Sequence, residues 1–161
     1  MKNNKRLFDK NLKTNFKQWK FDKNVCKKFD EHVEKSVPMY RDAHDIILGC
    51  SDFFLRDGST CYDLGSSTGT MLNKLNSRHS DKKIKYIGYD ISNDMLKIAK
   101  KNNSKTKNIH FQNKNLVNLN LKKCDFITSL FTIQFVEPKN RQKIFNEIYK
   151  KLNWGGAFIL C

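Results

Sequence analysis

A short segment of the chain combines an acidic residue with two glycines at a spacing that suits nucleotide chemistry. Residues 61–64, Cys-Tyr-Asp-Leu, have the character of a strand, and Gly65-Ser66-Ser67-Thr68-Gly69 follow at once. Gly65 can take a positive φ angle and lets a ligand approach the backbone, while Gly69 lets the next helix pack closely against the strand. In a doubly wound sheet, this turn lies where the ligand crevice opens, and Asp63 would lie at its edge.

A second carboxylate, Asp90, follows the next predicted strand, where it can accept hydrogen bonds from the ribose hydroxyls of a nucleoside. The dinucleotide pattern GxGxxG would require glycines at positions 65, 67 and 70, but Ser67 and Thr70 occupy two of these. The spacing therefore favours S-adenosylmethionine over a nicotinamide dinucleotide. An ordinary tight strand-to-helix turn without a ligand is the structural alternative.

The same turn also fits the Gly-x-Ser-x-Gly pattern of serine hydrolases. Such an enzyme needs an acid and then a histidine further along the chain, and no histidine follows His110. The match is therefore interpreted as a coincidence, and no catalytic residue is assigned. The histidines and cysteines have no metal-ligand spacing, so no metal site is predicted.

Composition predicts one folded, cytoplasmic domain. The chain has 161 residues, of which 39% are hydrophobic, which is enough for a core. Five widely spaced cysteines without a CxxC pair suit a reducing compartment, and the short apolar stretches predict neither membrane insertion nor export. The net charge of +15 could serve RNA binding, but the lysines are spread along the chain, which favours a general basic bias.

Three regions are predicted along the chain. Residues 1–18 are rich in lysine and asparagine and are expected to form a flexible basic tail. Residues 19–58 are expected to form an N-terminal helical cap, with one helix over 21–34 and a second before Gly58. The second helix is predicted to bury one apolar stripe, composed of Ala43, Ile46, Ile47, Cys50, Phe53 and Phe54.

Residues 59–161 alternate short apolar runs with helical stretches, which is typical of a parallel sheet in an α/β fold. Strands are predicted at 60–64, 84–89, 109–112, 125–132 and 157–160. Ser92 is expected to cap one helix and Pro138 to begin another, with Leu152 on its apolar face and Gly155-Gly156 ending it.

Four segments carry a resemblance to the carboxy-S-adenosylmethionine synthase family, which has the Rossmann-like class I methyltransferase fold. They are WKFD at 19–22, KSVPMY at 35–40, YDLGSSTG at 62–69 and FTIQFVEP at 131–138, and residues 144–160 continue the match. The resemblance implies an enzyme that converts S-adenosylmethionine and prephenate to carboxy-S-adenosylmethionine for tRNA wobble-uridine modification. Conventional methylation of a small molecule or RNA, or cofactor binding without turnover, are the alternatives.

The resemblance also implies which residues contact the cofactor: Tyr40, Gly65, Ser66, Ser67, Asp90, Ile91, Asn115 and Leu116. The sequence departs from the family at four positions, one of which is Leu116 in place of an isoleucine. Ile91 and Asn115 stand where the family has asparagine and aspartate, and Leu130 replaces an asparagine that faces the reacting end of the cofactor. A family arginine beyond the fifth strand has no counterpart, nor do the last strands, so we expect a fragment, a reduced homologue that forms a homodimer, or a degenerate copy.

Overall fold

The computed structural model describes residues 29–161, so the predictions for the basic tail and for WKFD lie outside the described residues. Helix α1 spans Phe29–Ser36 and ends shortly before Pro38, as expected for the residues that precede a proline. Helix α2 spans Tyr40–Phe54 and begins after Met39, whose φ of 57° turns the chain sharply between the two helices. These helices form the described part of the predicted cap.

Strands and helices then alternate, and the predicted α/β class is confirmed. The elements are β1 (Thr60–Leu64), α3 (Thr70–Arg78), β2 (Lys85–Asp90), α4 (Asn93–Asn102), β3 (Ile109–Asn113), β4 (Cys124–Ser129), α5 (Pro138–Lys151) and β5 (Leu152–Leu160). The five strands form one parallel sheet in the order β3-β2-β1-β4-β5. The order reverses between β1 and β4, and ligands bind such sheets outside the carboxyl ends of the strands at this point.

Two apolar clusters cover the two faces of the sheet. On one face, α2, α3 and α4 contribute Ile47, Leu72 and Leu96 to a cluster that includes Phe126 of β4. On the other face, Ile144 and Ile148 of α5 pack against residues such as Ile127 of β4. Strand β4 is therefore buried on both faces, which explains its nearly continuous apolar sequence.

The stripe predicted for α2 is wrong in part. Ile46 and Phe53 are 59% and 76% exposed, and the residues of α2 that are buried are His44, Ile47 and Ser51. The inward face thus carries two polar residues, and a hydropathy pattern cannot identify it. Ser51 is accommodated there because its Oγ lies 2.7 Å from Nε2 of the buried His79 on the neighbouring segment.

The boundary between α5 and β5 also differs from the prediction. The helix ends at Lys151, Leu152 begins the strand, and Gly155 and Gly156 lie within β5 rather than before it. The strand is irregular here, because Leu152 pairs with Cys124 and Ala157 pairs with Phe126. No helix within residues 29–161 combines the length and the apolar character needed to cross a membrane.

Candidate cofactor site

The glycine loop after β1 is fixed to the end of β2 by its own backbone. The N–H groups of Gly65 and Ser66 both donate to the carbonyl of Tyr89, at 2.8 and 2.9 Å. Within the loop, the Gly69 N–H donates to the Ser66 carbonyl at 2.8 Å. The loop therefore borders one side of the switch point, and its hydrogen bonds to the sheet fix its backbone conformation.

Both glycines of the loop have positive φ angles, 86° at Gly65 and 80° at Gly69. A Cβ atom on Gly65 would lie 2.1 Å from the Thr132 Oγ1, so the space that we assigned to an approaching ligand is filled by a side chain from the exit of β4. A Cβ atom on Gly69 would lie 2.6 Å from the Phe111 ring, which agrees with close packing as the reason for this glycine.

Asp90 is held at the tip of β2 by hydrogen bonds from the backbone of Ser67, Ile91 and Ser92. Its Oδ2 accepts from the Ser67 N–H at 2.9 Å, and its Oδ1 accepts from the Ser92 N–H at 2.8 Å. Burial raises the pKa of Asp90, and the backbone hydrogen bonds oppose this effect. Each carboxylate oxygen has a second lone pair, so the oriented group retains acceptor capacity for a ligand.

Asp63, on β1, is only 3% exposed. Its Oδ1 accepts a hydrogen bond of 2.8 Å from the Thr128 hydroxyl on β4. Burial raises the pKa of Asp63 to about 7, and the charge of Asp90 adds to this effect. A positive charge beside Asp63 would lower its pKa, so the carboxyl is suited to a cationic ligand.

Tyr40 lies at the first position of α2 and reaches the exit of β4. Its ring centroid is 5.9 Å from that of Phe131, and burial together with the charges of nearby carboxylates, Asp63 among them, raises its pKa to about 12. Phe131 has a φ of 50°, and its N–H donates to the Cys161 carbonyl at 2.8 Å after β5. The structure thus brings Tyr40 to the same edge of the sheet as the glycine loop.

The remaining predicted residues lie beyond the tips of β2 and β3. Ile91 is 66% exposed, which leaves an apolar surface next to Asp90. The Asn115 Oδ1 accepts from the Val117 N–H at 3.0 Å and caps a short 3-10 turn, which engages one of the two lone pairs of this oxygen. The Leu116 side chain packs in the core and is 8% exposed.

Two buried side-chain atoms among residues 29–161 have no hydrogen-bond partner, namely Ser66 Oγ and His44 Nδ1. The Ser66 hydroxyl lies beneath the loop, 2.7 Å from where a Cβ on Gly88 would be. Leu130, where the family has a polar residue, is partly buried and packs against the apolar cluster that α2 covers.

Sequence reasoning missed three residues that position the site. Thr128 binds Asp63, Thr132 packs on Gly65, and Asp30 of α1 accepts a hydrogen bond of 2.7 Å from the Thr68 hydroxyl in the glycine loop. Each of these contacts joins distant parts of the chain, and no spacing in the sequence indicates them. No group of three or more potential metal ligands occurs in the described part of the chain.

A concavity of about 400 Å³ lies beside the glycine loop, on the side where Phe111 and Asn103 approach Gly69. It is lined by Lys100, Asn103, Ile109, His110, Phe111 and Gln112, on β3 and the end of α4. None of these was a predicted site residue.

Comparison with known proteins gives three consistent results. Residues 62–156 match the methyltransferase domain family. Proteins named carboxy-S-adenosyl-L-methionine synthase from Staphylococcus epidermidis and Sulfurimonas denitrificans are 37% and 34% identical over 89% and 97% of the chain. The chain spans 62% and 65% of the lengths of these two relatives, so it covers less than two thirds of each.

A crystal structure described as an S-adenosyl-L-methionine-dependent methyltransferase from Methanococcus maripaludis superposes with a TM-score of 0.70 and 25% identity. It is matched by 89% of this chain, which covers 64% of that protein. The predicted Rossmann-like methyltransferase fold and the predicted resemblance to carboxy-S-adenosylmethionine synthases are both confirmed. The contact residues stay predictions, because none of these comparisons tests them.

Proposed function

The chain belongs to the methyltransferase domain family, and S-adenosylmethionine is its cofactor; on this premise, we propose that the cofactor binds across the tips of β1 and β2. The observation that carries the proposal is the carboxylate of Asp90, which backbone donors orient at the tip of β2. Asp90 would bind the ribose hydroxyls, and the exposed side chain of Ile91 would pack against the adenine.

The groups that surround the crevice fit a sulfonium nucleoside. Asp63 is a buried carboxyl whose pKa of about 7 would fall beside a positive charge, so a cation would be stabilised there. Tyr40 closes the crevice from the side of α2, where an aromatic face suits a sulfonium. Gly65, Ser66, Ser67 and Gly69 would shape the wall that faces the methionyl group.

We propose carboxyl transfer to the sulfonium methyl group, with prephenate as the donor, as the reaction. The sequence similarity to carboxy-S-adenosyl-L-methionine synthases supports this reaction over the alternatives. The positive sulfur makes the attached methyl carbon acidic, so this carbon can lose a proton and become an ylide. Prephenate would release carbon dioxide and its ring hydroxide to leave phenylpyruvate, the hydroxide would take the methyl proton to form water, and the ylide carbon would bond to the carbon dioxide. The protein would hold the cofactor and exclude water from the methyl group at the exit of β4.

Conventional methyl transfer is the second candidate, and Leu130 favours it. The apolar side chain packs into the core at the end of β4 and offers no hydrogen bond where the reacting group would lie. Methyl transfer places no new carboxylate at that point and would tolerate a leucine. Both reactions use the same cofactor site, so the product distinguishes them.

Mass spectrometry of the nucleoside product tests the reaction. Protein incubated with S-adenosylmethionine and prephenate should yield a nucleoside that is heavier by one carboxyl group. If S-adenosylhomocysteine forms instead in the presence of an acceptor, methyl transfer is supported. If neither product forms although the cofactor binds, the chain holds the cofactor without turning it over.

Calorimetric titration of Asp90→Ala with S-adenosylmethionine tests the binding site. Loss of the ribose-binding carboxylate should weaken binding by about 10- to 100-fold, which corresponds to roughly 1.5 to 3 kcal/mol. Asp94→Ala is the matched control, because Asp94 lies on α4 and pairs with Lys97 at the surface. Equal affinity of the Asp90 variant and the unaltered protein would contradict the assignment.

A role in tRNA wobble-uridine modification and a cytoplasmic location belong to the same proposal. A homodimer is one of the three forms considered for the chain, and a general basic bias is favoured over direct RNA binding. The names of the relatives support the role in tRNA modification indirectly, through the product that they make. The net charge of +15 supports RNA binding only in general terms, since it does not identify a surface.

A further inference from the structure

His44 is a buried side chain with an unused hydrogen-bonding atom. It is 2% exposed, and its Nδ1 has no partner among residues 29–161. An unpaired buried polar group is costly, so such a group is normally explained by water, by a ligand or by a function. His44 is not among the predicted cofactor contacts and lies outside the glycine loop.

The position of His44 connects it with the cofactor crevice. It follows Tyr40 by one helical turn on the same face of α2, and the two ring centroids are 4.6 Å apart. The Tyr40 ring in turn lies against Phe131 at the exit of β4. His44 is therefore the polar neighbour of Tyr40 on the inner side of the crevice. Because its Nδ1 is closed to solvent in this structure, a ligand would reach it only after the surrounding side chains move.

The charges around the crevice are unequal on its two sides. Asp63 and Asp90 carry carboxylates at the tips of β1 and β2, and the charge of one raises the pKa of the other. On the α2 side, burial lowers the pKa of His44 to about 4; the charge of Lys74 adds to this effect, while Asp45 and Glu34 oppose it. His44 is thus neutral near pH 7 and can donate through Nδ1 without carrying a charge itself.

S-adenosylmethionine matches this asymmetry, because its methionyl end carries a carboxylate as well as an ammonium group. The carboxylate would be repelled by Asp63 and Asp90 and would be more favourable beside a neutral donor near Lys74. We propose that His44 is a further cofactor-binding residue, whose Nδ1–H donates a hydrogen bond to the methionyl carboxylate. This inference rests on the proposed function, since it requires the cofactor to lie in the crevice.

Two titrants separate this contact from a structural role: S-adenosylmethionine and decarboxylated S-adenosylmethionine, which lacks the carboxylate. His44→Phe keeps a buried ring but removes the donor, and it should weaken binding of the complete cofactor by about 10- to 100-fold. Binding of the decarboxylated compound should be unchanged. His44→Asn should retain most of the affinity, because its amide NH₂ can take the place of Nδ1–H, whereas the longer His44→Gln places the amide near the Nε2 position.

Three results would overturn the inference. The first is equal loss of affinity for both compounds in His44→Phe, which would indicate a packing role. The second is unchanged affinity for both compounds, which would remove His44 from the site. The third is equal affinity of the Asn and Gln variants for S-adenosylmethionine. This comparison tests the inference even if the Phe variant does not fold. Failure of the unaltered protein to bind either compound would instead refute the cofactor site as a whole.

Discussion

At the scale of single residues, the glycine loop is defined more by its neighbours than by its own sequence. Gly65 has both a positive φ angle and a threonine side chain where a Cβ would be, so two independent constraints exclude any other residue. Ser67 and Phe131 also have positive φ angles without being glycines. Such strained positions persist only where the surrounding structure determines them, and here both border the candidate site.

Gly65→Ala should be strongly destabilising. Backbone strain and the collision with Thr132 together should lower the free energy of unfolding by about 2 to 4 kcal/mol, measured by urea denaturation. Gly49→Ala is the matched control, because no atom lies within 4 Å of its Cβ position and it is within α2. That control should be neutral or stabilising by about 1 kcal/mol. A similar stability for both variants would contradict the geometry of the loop.

Asp63→Asn should increase stability at high pH. The folded-state pKa of Asp63, about 7, lies above its ordinary value of 3.8. The stability that the protonated carboxyl contributes is therefore complete below pH 3.8 and is lost as the pH rises through 7. Asparagine carries no charge to bury and can still accept from Thr128. The variant should be more stable at pH 8 by on the order of 2 kcal/mol and should match the unaltered protein at pH 4.

Chemical denaturation at the two pH values provides the measurement for Asp63. Asp42→Asn, at an exposed position, is the control and should show no pH-dependent gain. The Asp63 variant should also bind S-adenosylmethionine more weakly, because the negative charge beside the sulfonium is lost. A variant with lower stability than the unaltered protein at pH 8 would refute the account of the buried charge.

At the scale of elements, α2 is joined to α3 by a polar network around His79. The Ser51 hydroxyl donates to the Leu48 carbonyl, so it accepts from the Nε2–H of His79 at 2.7 Å. The Nδ1 of the same ring then accepts from the Lys82 ammonium at 3.2 Å. The ring is therefore neutral, with its proton on Nε2.

This network should make the contact between α2 and α3 sensitive to acid. Burial lowers the pKa of His79, with the charges of Lys82 and Arg78 adding to the effect and those of Asp52 and Asp81 opposing it. A histidine whose pKa is lowered in the folded state contributes stability that is present above pH 6.5 and is lost as the pH falls. Between pH 7.5 and 5.0, the unaltered protein should therefore lose more of its free energy of unfolding than His79→Gln.

Urea denaturation at several pH values tests the role of His79. His110→Gln, at an exposed position on β3, should follow the unaltered protein throughout. The acid sensitivity would have another origin if the His79 and His110 variants gave the same pH dependence.

Element types were predictable from the sequence, and their contacts were not. Ser92 caps α4 through a hydrogen bond to the Met95 N–H and Pro138 begins α5, because both signals are local. The inward face of α2 was assigned wrongly at Ile46, because the partner of Ser51 is a histidine that lies on another element. The positions of Asp63 and Asp90 were predictable from strand order, whereas Thr128 and Thr132 become neighbours only through the tertiary fold.

At the scale of the whole molecule, net charge should oppose folding. The charge of +15 produces repulsion across a small domain, and salt screens it, since the Debye length falls from about 30 Å at 0.01 M to about 10 Å at 0.1 M. The melting temperature should therefore rise by about 3 to 5 °C between 10 and 200 mM sodium chloride. Calorimetric scans test this, with equimolar sodium fluoride as the control for ion-specific effects, and a melting temperature independent of salt would contradict it.

The arrangement of the sheet has a consequence for the order in which the chain acquires structure on the ribosome. Strand β1 pairs with β2, but its other edge pairs with β4, where Cys61 lies opposite Phe126. During synthesis, this second edge of β1 stays unpaired until β4, which lies much later in the chain, has been made. A ribosome that stalls between the two strands would expose an unpaired apolar edge, and a chaperone that binds such edges should associate with chains arrested before residue 124 more than with longer ones.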